Sequence, residues 1–195
     1  VRLRVGAEAV TIAGFVFGVG ACVAIAVGAR WLALALWLAN RLADGLDGAI
    51  ARTVGATDRG GFLDVVADFA VYAGFVVAVA YARPDARVAS VVLLGAYYVS
   101  GAAFLAWSSL AERRARSTGD DRSLHFVGGV AEGTETVVVY VLLCIWPGAT
   151  ETILWLFAVA VGVTALQRVR FGWRALSDHG AGPDRRPAGR RAPGG

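Results

Sequence analysis

From Ala9 to Ala29 the chain runs for 21 residues without a charge. A helix of that length rises about 30 Å, the hydrocarbon thickness of a bilayer. A second uncharged run, Val88 to Ala111, is longer still. The chain as a whole is 57% hydrophobic and 17% charged, with a mean hydropathy of +0.59. Those values lie outside the range of an ordinary soluble domain and point to an integral membrane protein. We expect an all-α bundle of six transmembrane helices, with no room for a second domain. The spans are Ala9–Ala29, a second helix from Trp31, Gly60–Ala82, Val88–Ala111, His125–Ile145 and Thr152–Leu166. Residues 1–174 form the membrane domain. Residues 175–195, rich in Gly, Pro and Arg, form a basic cytoplasmic tail expected to be disordered.

The basic side chains are all arginine, 19 of them. An N-terminus in the cytoplasm gathers residues 1–8, the loop 53–59 with the adjoining Arg52, the loop 112–124 and the tail on one side. Fifteen arginines then face the cytoplasm, against Arg30, Arg83 and Arg87 outside and Arg41 within a span. Both termini are therefore expected in the cytoplasm under the positive-inside rule. Arginines beside apolar segments argue for topology rather than nucleic-acid binding, in spite of a pI near 9.6. Arg113, Arg114, Arg116 and Arg122 read first as topology markers. Trp31 and Trp146, near span ends, read as interfacial anchors, and Tyr97 and Tyr98 as packing residues. Cys22 and Cys144 each lie in an apolar run and read as packing residues; His125 and His179 form no ligand pattern.

One stretch breaks the apolar pattern. Between Asn40 and Asp68 stand Asp44, Asp47, Asp64 and Asp68, with arginines and several glycines among them. The clean apolar part of the second helix, Trp31 to Asn40, covers only half a bilayer. An ionised carboxylate near a bilayer centre costs about 2.5–3.5 kcal/mol, so four of them need a function. On a helix Asp44, Asp47, Gly48, Ala51 and Arg52 share one face, and Gly60, Asp64 and Asp68 share a face of the next helix. Such faces can converge on a water-accessible cavity open to the cytoplasm. Hard divalent cations take carboxylate oxygens, and Mg²⁺ combines a few of them with water and phosphate oxygens. Four aspartates could hold one or two such ions and neutralise a diphosphate. Gly48 and Ala51 leave a bare helix face for close approach, and Arg52 can meet a phosphate. The plain alternative is structural ion pairing with Arg41, Arg52 and Arg59. Arg41 itself reads as an ion-pair or helix-end residue.

The segment Asp44-x2-Asp47-Gly48-x2-Ala51-Arg52, then Gly60-x3-Asp64-x3-Asp68, resembles the signature of the CDP-alcohol phosphotransferase family, D-x2-D-G-x2-A-R-x8-G-x3-D-x3-D. Every specified residue is present; the spacer from Arg52 to Gly60 is one residue short. The resemblance implies transfer of a substituted phosphate from a CDP-linked donor, CDP-diacylglycerol by preference, to an alcohol acceptor, with release of CMP. It implies a multi-pass enzyme of phospholipid biosynthesis in the cytoplasmic (inner) membrane, its active site facing the cytoplasm. It also implies Mg²⁺ or Mn²⁺, as two ions, and a homodimer. Asp44, Asp47 and Asp64 would be metal ligands, with Asp68 sharing the metal site and acting as general base. Gly48, Ala51 and Arg52 would meet the CDP moiety. Glu132 and Glu135, beside three glycines, are a candidate acceptor site or a water-boundary pair. Two rival readings are a Mg²⁺-diphosphate-dependent membrane prenyltransferase and a non-enzymatic cation or proton transporter. The D-G-x2-A-R element argues against the first, and the lack of an internal repeat against the second.

Overall fold

The computed structural model describes residues 6–55, 57–118 and 133–177, and these are helical apart from short turns. Among them are six helices: α1 (Ala7–Ala26), α2 (Arg30–Val54), α3 (Asp58–Ala82), α4 (Arg87–Thr118), α5 (Gly133–Ile145) and α6 (Thr150–Ser177). Four of these, α1, α3, α4 and α6, lie in segments long and apolar enough to cross a membrane. Helix α5 is described over 13 residues only; the start of the fifth span, expected from His125, lies outside the described residues, as does the tail from residue 178. Helix α6 runs on past the end of its apolar part at Leu166, through Arg168, Arg170 and Arg174.

Helix α2 is one continuous rod of 25 residues, about 37 Å long at the usual rise. Its mean hydropathy is diluted by the acidic face, yet Leu38, Leu42 and Leu46, at i, i+4 and i+8, are about half exposed or more. The polar and apolar residues thus occupy opposite sides of one helix, the pattern of a wall between an aqueous cavity and lipid.

The connections are tight. Gly28 (φ +80°) turns the chain from α1 into α2, and Gly55 (φ +110°) ends α2, both in a region that L side chains avoid. The Thr57 hydroxyl then caps α3 by accepting from the Gly60 amide at 3.0 Å. The helices therefore reach further into the loop expected over 53–59, with α2 ending at Val54 and α3 beginning at Asp58, because Gly55 and Thr57 stop and start them so sharply. A 3₁₀ turn at Pro84–Ala86 and another at Pro147–Ala149 join the helices at the far end. There Arg83 pairs with Asp85 at 2.7 Å and donates to the Pro147 carbonyl, tying the two turns together.

Helix α1 packs on both α2 and α3, α4 packs on α6 and α3, and α5 packs on α2 and α6. Helix α1 buries Thr11, Gly14, Gly18, Ala21 and Ile25, a stripe at i, i+3, i+7, i+10 and i+14 that lets α2 and α3 come close. A Cβ on Gly18 would stand 2.5 Å from Val71 Cγ2 and 3.1 Å from Asn40 Nδ2. Val71 is β-branched and stiff in a helix, so it cannot rotate away. We expect Gly18→Ala to destabilise the protein by about 1–3 kcal/mol through overpacking. Gly95→Ala, where the added Cβ meets nothing within 4 Å, should be neutral or stabilising by up to about 1 kcal/mol. Thermal unfolding of both in detergent checks the pair.

The bundle centre is aromatic. Trp37, Phe75 and Tyr140 are fully buried, with Phe75 and Tyr140 stacked at 4.5 Å and Trp37 tilted against Tyr140 at 4.9 Å. The polar tips are satisfied: Tyr140 donates to the Tyr72 carbonyl at 2.7 Å, and Trp37 Nε1 to the Val137 carbonyl. This plug forms the floor beneath the acidic residues. Cys144 is buried and Cys22 half-buried, both unbridged packing residues. Trp31 and Trp146 are exposed at helix ends, as interfacial anchors require.

Candidate active site

The start of α1, the second half of α2 and the first half of α3 meet at one end of the bundle. One carboxylate oxygen each from Asp44, Asp47 and Asp64 lies within 4.8 Å of the others. Asp47 is buried, at 6% exposure, and its Oδ2 accepts a 2.6 Å hydrogen bond from Thr11 Oγ1 on α1. Asp44 and Asp47 are one helical turn apart on α2, and α3 brings in Asp64 from the side. A small gap of about 10 Å³ lies among Thr11, Asn40 and the four aspartates. Three carboxylates so close repel one another, and the recorded ion pairs near them bring Arg41 to Asp44, at 3.6 Å, and to Asp68. A hard divalent cation fits this donor set in both charge and ligand type.

Asp68 stands apart from those three. Its Oδ1 accepts from Arg41 Nη2 at 2.8 Å. Arg41 also donates Nη1 to the Tyr72 hydroxyl at 2.8 Å, and Nε and Nη2 to Asn40 Oδ1 at 2.8 and 2.6 Å. Asn40, itself buried, donates Nδ2 to the Gly14 carbonyl at 2.8 Å, so the network spans α1, α2 and α3. The four aspartates expected to act together thus divide into a cluster of three and one arginine-bound carboxylate.

A cavity of about 690 Å³ opens beside the cluster. Gly48 and Ala51 line it from α2, Gly60, Gly61 and Asp64 from α3, and Glu8 and Thr11 from α1. Gly48 and Ala51 thus leave this wall with little side-chain bulk. Arg52 is exposed, and its Nη1 lies 3.3 Å from where a Gly48 Cβ would be, so its guanidinium folds back over that wall. Arg59 pairs with Glu8 at 3.8 Å, both of them solvent-facing. The ion-pair alternative therefore holds for Arg41 alone among the arginines named for it.

A second cavity, of about 670 Å³, lies between α3, α4, α5 and α6, with Tyr72, Tyr97, Phe104, Leu105, Thr136 and Arg168 among its lining. Tyr97 approaches the Tyr140 hydroxyl at 3.3 Å, as a packing residue does, whereas Tyr98 is 79% exposed. Glu135 is exposed on the first turn of α5; its neighbours Gly133 and Thr136 line this second cavity. Glu132 lies outside the described residues, as do His125, His179 and residues 119–124; the first part of the loop expected over 112–124 instead continues α4 through Thr118.

Reading the sequence missed Thr11 and Glu8. Thr11 was signalled only by standing one turn before Gly14 on the small-residue stripe. Nothing in its spacing says that it will meet Asp47, which is 36 residues away.

The family profile of CDP-alcohol phosphatidyltransferases matches residues 4–166. The chain is similar to the inner membrane protein YnjF of Escherichia coli strain K12, 38% identical over 175 residues that cover 87% of this chain and 84% of that protein. Its fold is similar to the Mycobacterium tuberculosis phosphatidylinositol phosphate synthase PgsA1 with CDP-DAG bound (TM-score 0.68, 25% identity, 88% of each chain). It is likewise similar to PgsA1 in complex with manganese and citrate (TM-score 0.67, 26% identity, 88% of this chain and 84% of that one). On the profile match and the likeness to PgsA1, the chain belongs to the CDP-alcohol phosphatidyltransferase family, and is a membrane-bound, metal-binding phosphotransferase of phospholipid synthesis.

Proposed function

We propose that the protein transfers a phosphatidyl group from CDP-diacylglycerol to the hydroxyl of a small alcohol, releasing CMP. The observation that carries this reading is the three-carboxylate cluster beside a glycine-lined cavity. The CDP-DAG bound to PgsA1, a protein of the same fold, supports the choice of donor. In this reading α2 and α5 also cross the bilayer, which makes six spans, and the leucine face of α2 supports that count. Both termini and the acidic end face the cytoplasm, as the arginine distribution favours. Residues 1–174 form the one domain, with a basic tail beyond it. The membrane is the cytoplasmic (inner) one, in keeping with the name of YnjF. A homodimer remains the expected assembly.

Asp44, Asp47 and Asp64 hold Mg²⁺ or Mn²⁺, as a pair of ions with Asp68 at the edge of the set; manganese in PgsA1 supports that class of metal. When bound, these ions neutralise the diphosphate and the charge that develops on its bridging oxygen. Gly48 and Ala51 admit the CDP moiety close to the helix backbone, and Arg52 meets a phosphate at the cavity rim. The acceptor enters on the Asp68 side, and Asp68 takes its hydroxyl proton. The acceptor oxygen then bonds to the phosphorus that carries the lipid. The P–O bond on the CMP side breaks, and its electron pair leaves with CMP. Glu132 and Glu135 are proposed at the acceptor entrance, a role supported by the closeness of Gly133 and Thr136 to the second cavity.

The test is CMP release by the purified protein with Mn²⁺ or Mg²⁺, CDP-diacylglycerol and a panel of alcohols: glycerol phosphate, inositol phosphate and serine. Metal-dependent release with one alcohol establishes donor, acceptor and class together. Silence across the panel, with release from CDP-choline and diacylglycerol, would assign the CDP moiety to the headgroup instead. Thr11→Val keeps the side-chain volume and deletes the hydroxyl that orients Asp47. It is expected to weaken apparent Mn²⁺ affinity about 10- to 100-fold, as loss of an outer-shell partner does. Metal titration of CMP release reads this directly.

A further inference from the structure

We propose that Arg41 is a positioning residue for the transfer step: it fixes Asp68 through one carboxylate oxygen and leaves the other for the acceptor proton. The proposal rests on the reading of Asp68 as the base. Its grounds are geometric. The Arg41 side chain is 11% exposed, and each of its three nitrogens donates a hydrogen bond. Its Cζ lies 4.8 Å from the Trp37 ring centroid and 5.0 Å from that of Tyr72. Flat faces on two sides and directed acceptors around the fork leave the guanidinium one orientation.

Those contacts are themselves anchored. Trp37 is held by Val137 on α5, Asn40 by Gly14 on α1, and the Tyr72 ring packs edge-on to Tyr140. Arg41 thus carries the packing of α1, α3 and α5 to one carboxylate oxygen. Among the described residues, the recorded hydrogen bonds to Asp68 come from this guanidinium alone, and they engage Oδ1 and not Oδ2. An arginine that served only to clip α2 to α3 would require none of the fork geometry around Asn40 and Tyr72. A lysine there would keep the charge and lose the directed contacts.

The experiment compares Arg41→Gln, Arg41→Lys and Tyr72→Phe, each in the wild-type and the Asp68→Asn background. It measures kcat, the KM for CDP-diacylglycerol, and the rise in unfolding midpoint on adding Mn²⁺. Arg41→Gln is expected to lower kcat about 100-fold, as loss of a charge-assisted hydrogen bond allows, with donor KM held within about threefold. The stabilisation by Mn²⁺ should persist, because all three carboxylates remain and Arg41 reaches only Asp44 among them, in a long pair at 3.6 Å. Arg41→Lys should recover only part of kcat. Tyr72→Phe, which removes one contact and keeps the ring, should lower kcat about three- to tenfold at a retained midpoint, and it carries the test if Arg41→Gln does not fold. In the Asp68→Asn background none of the three substitutions should lower the residual rate further.

A lowered midpoint with unchanged kcat would reduce Arg41 to a helix clip and overturn the proposal. A raised KM at constant kcat would make it a donor contact, and an equal loss in the Asp68→Asn background would show it acting independently of Asp68; either overturns it too. Full activity of Asp68→Asn itself would instead remove the base reading beneath. That result is distinguishable, since it appears without any change at Arg41.

Discussion

Asp68→Asn is expected to lower the rate of CMP release by about 10²–10⁴-fold, the range supplied by a positioned general base. The side chain keeps its size and can still accept from Arg41 Nη2, which now reaches Oδ1 of Asp68 at 2.8 Å. Asp44, Asp47 and Asp64 keep their mutual geometry. Donor binding should therefore survive, read as a CDP-diacylglycerol affinity within about threefold of wild type, the pattern of a group that acts only in the transition state. Equal loss of turnover and donor binding would contradict the base role and return Asp68 to the metal ligands.

Asp64→Asn is expected to be as severe in rate and different in kind. Removing one of three converging carboxylates takes away both a ligand and a charge, and a bound cation contributes several kcal/mol to stabilising the transferring phosphate. A loss of about 4 kcal/mol corresponds to about 10³-fold in rate. The discriminating readout is the metal. The rise in unfolding midpoint with Mn²⁺ should shrink or vanish in Asp64→Asn and persist in Asp68→Asn. Chelation should silence the wild type, and added Mn²⁺ should restore it. A normal metal response in Asp64→Asn would remove that residue from the site.

These two substitutions separate residues that the motif treats alike. Asp64 and Asp68 are one turn apart on α3 and equal in type, and their spacing foretells only that they share a face. Their different surroundings come from α2: Asp44 and Asp47 draw level with Asp64, whereas Arg41 draws level with Asp68. Register between two helices is set by how their surfaces interlock, and the fit of Gly18 against Val71 and Asn40 sets part of it here. A linear pattern carries none of that information.

What the sequence determined by itself is whatever depends on local periodicity and composition. Uncharged runs such as Ala9–Ala29 require helices, since backbone polar groups in hydrocarbon must be bonded within the segment. The motif spacing placed Gly48 and Ala51 on one face of α2, and Gly60 and Asp64 on one face of α3, because helix geometry over a few turns is nearly invariant. Tertiary structure decided the rest. It brought Thr11 to Asp47 across 36 residues, turned α2 so that Leu42 and Leu46 face outward behind the carboxylates, and gave Asp68 to Arg41. Each of these is a contact between helices far apart in the chain. Its energy comes from packing and desolvation at a shared surface, which exists only once the bundle has closed.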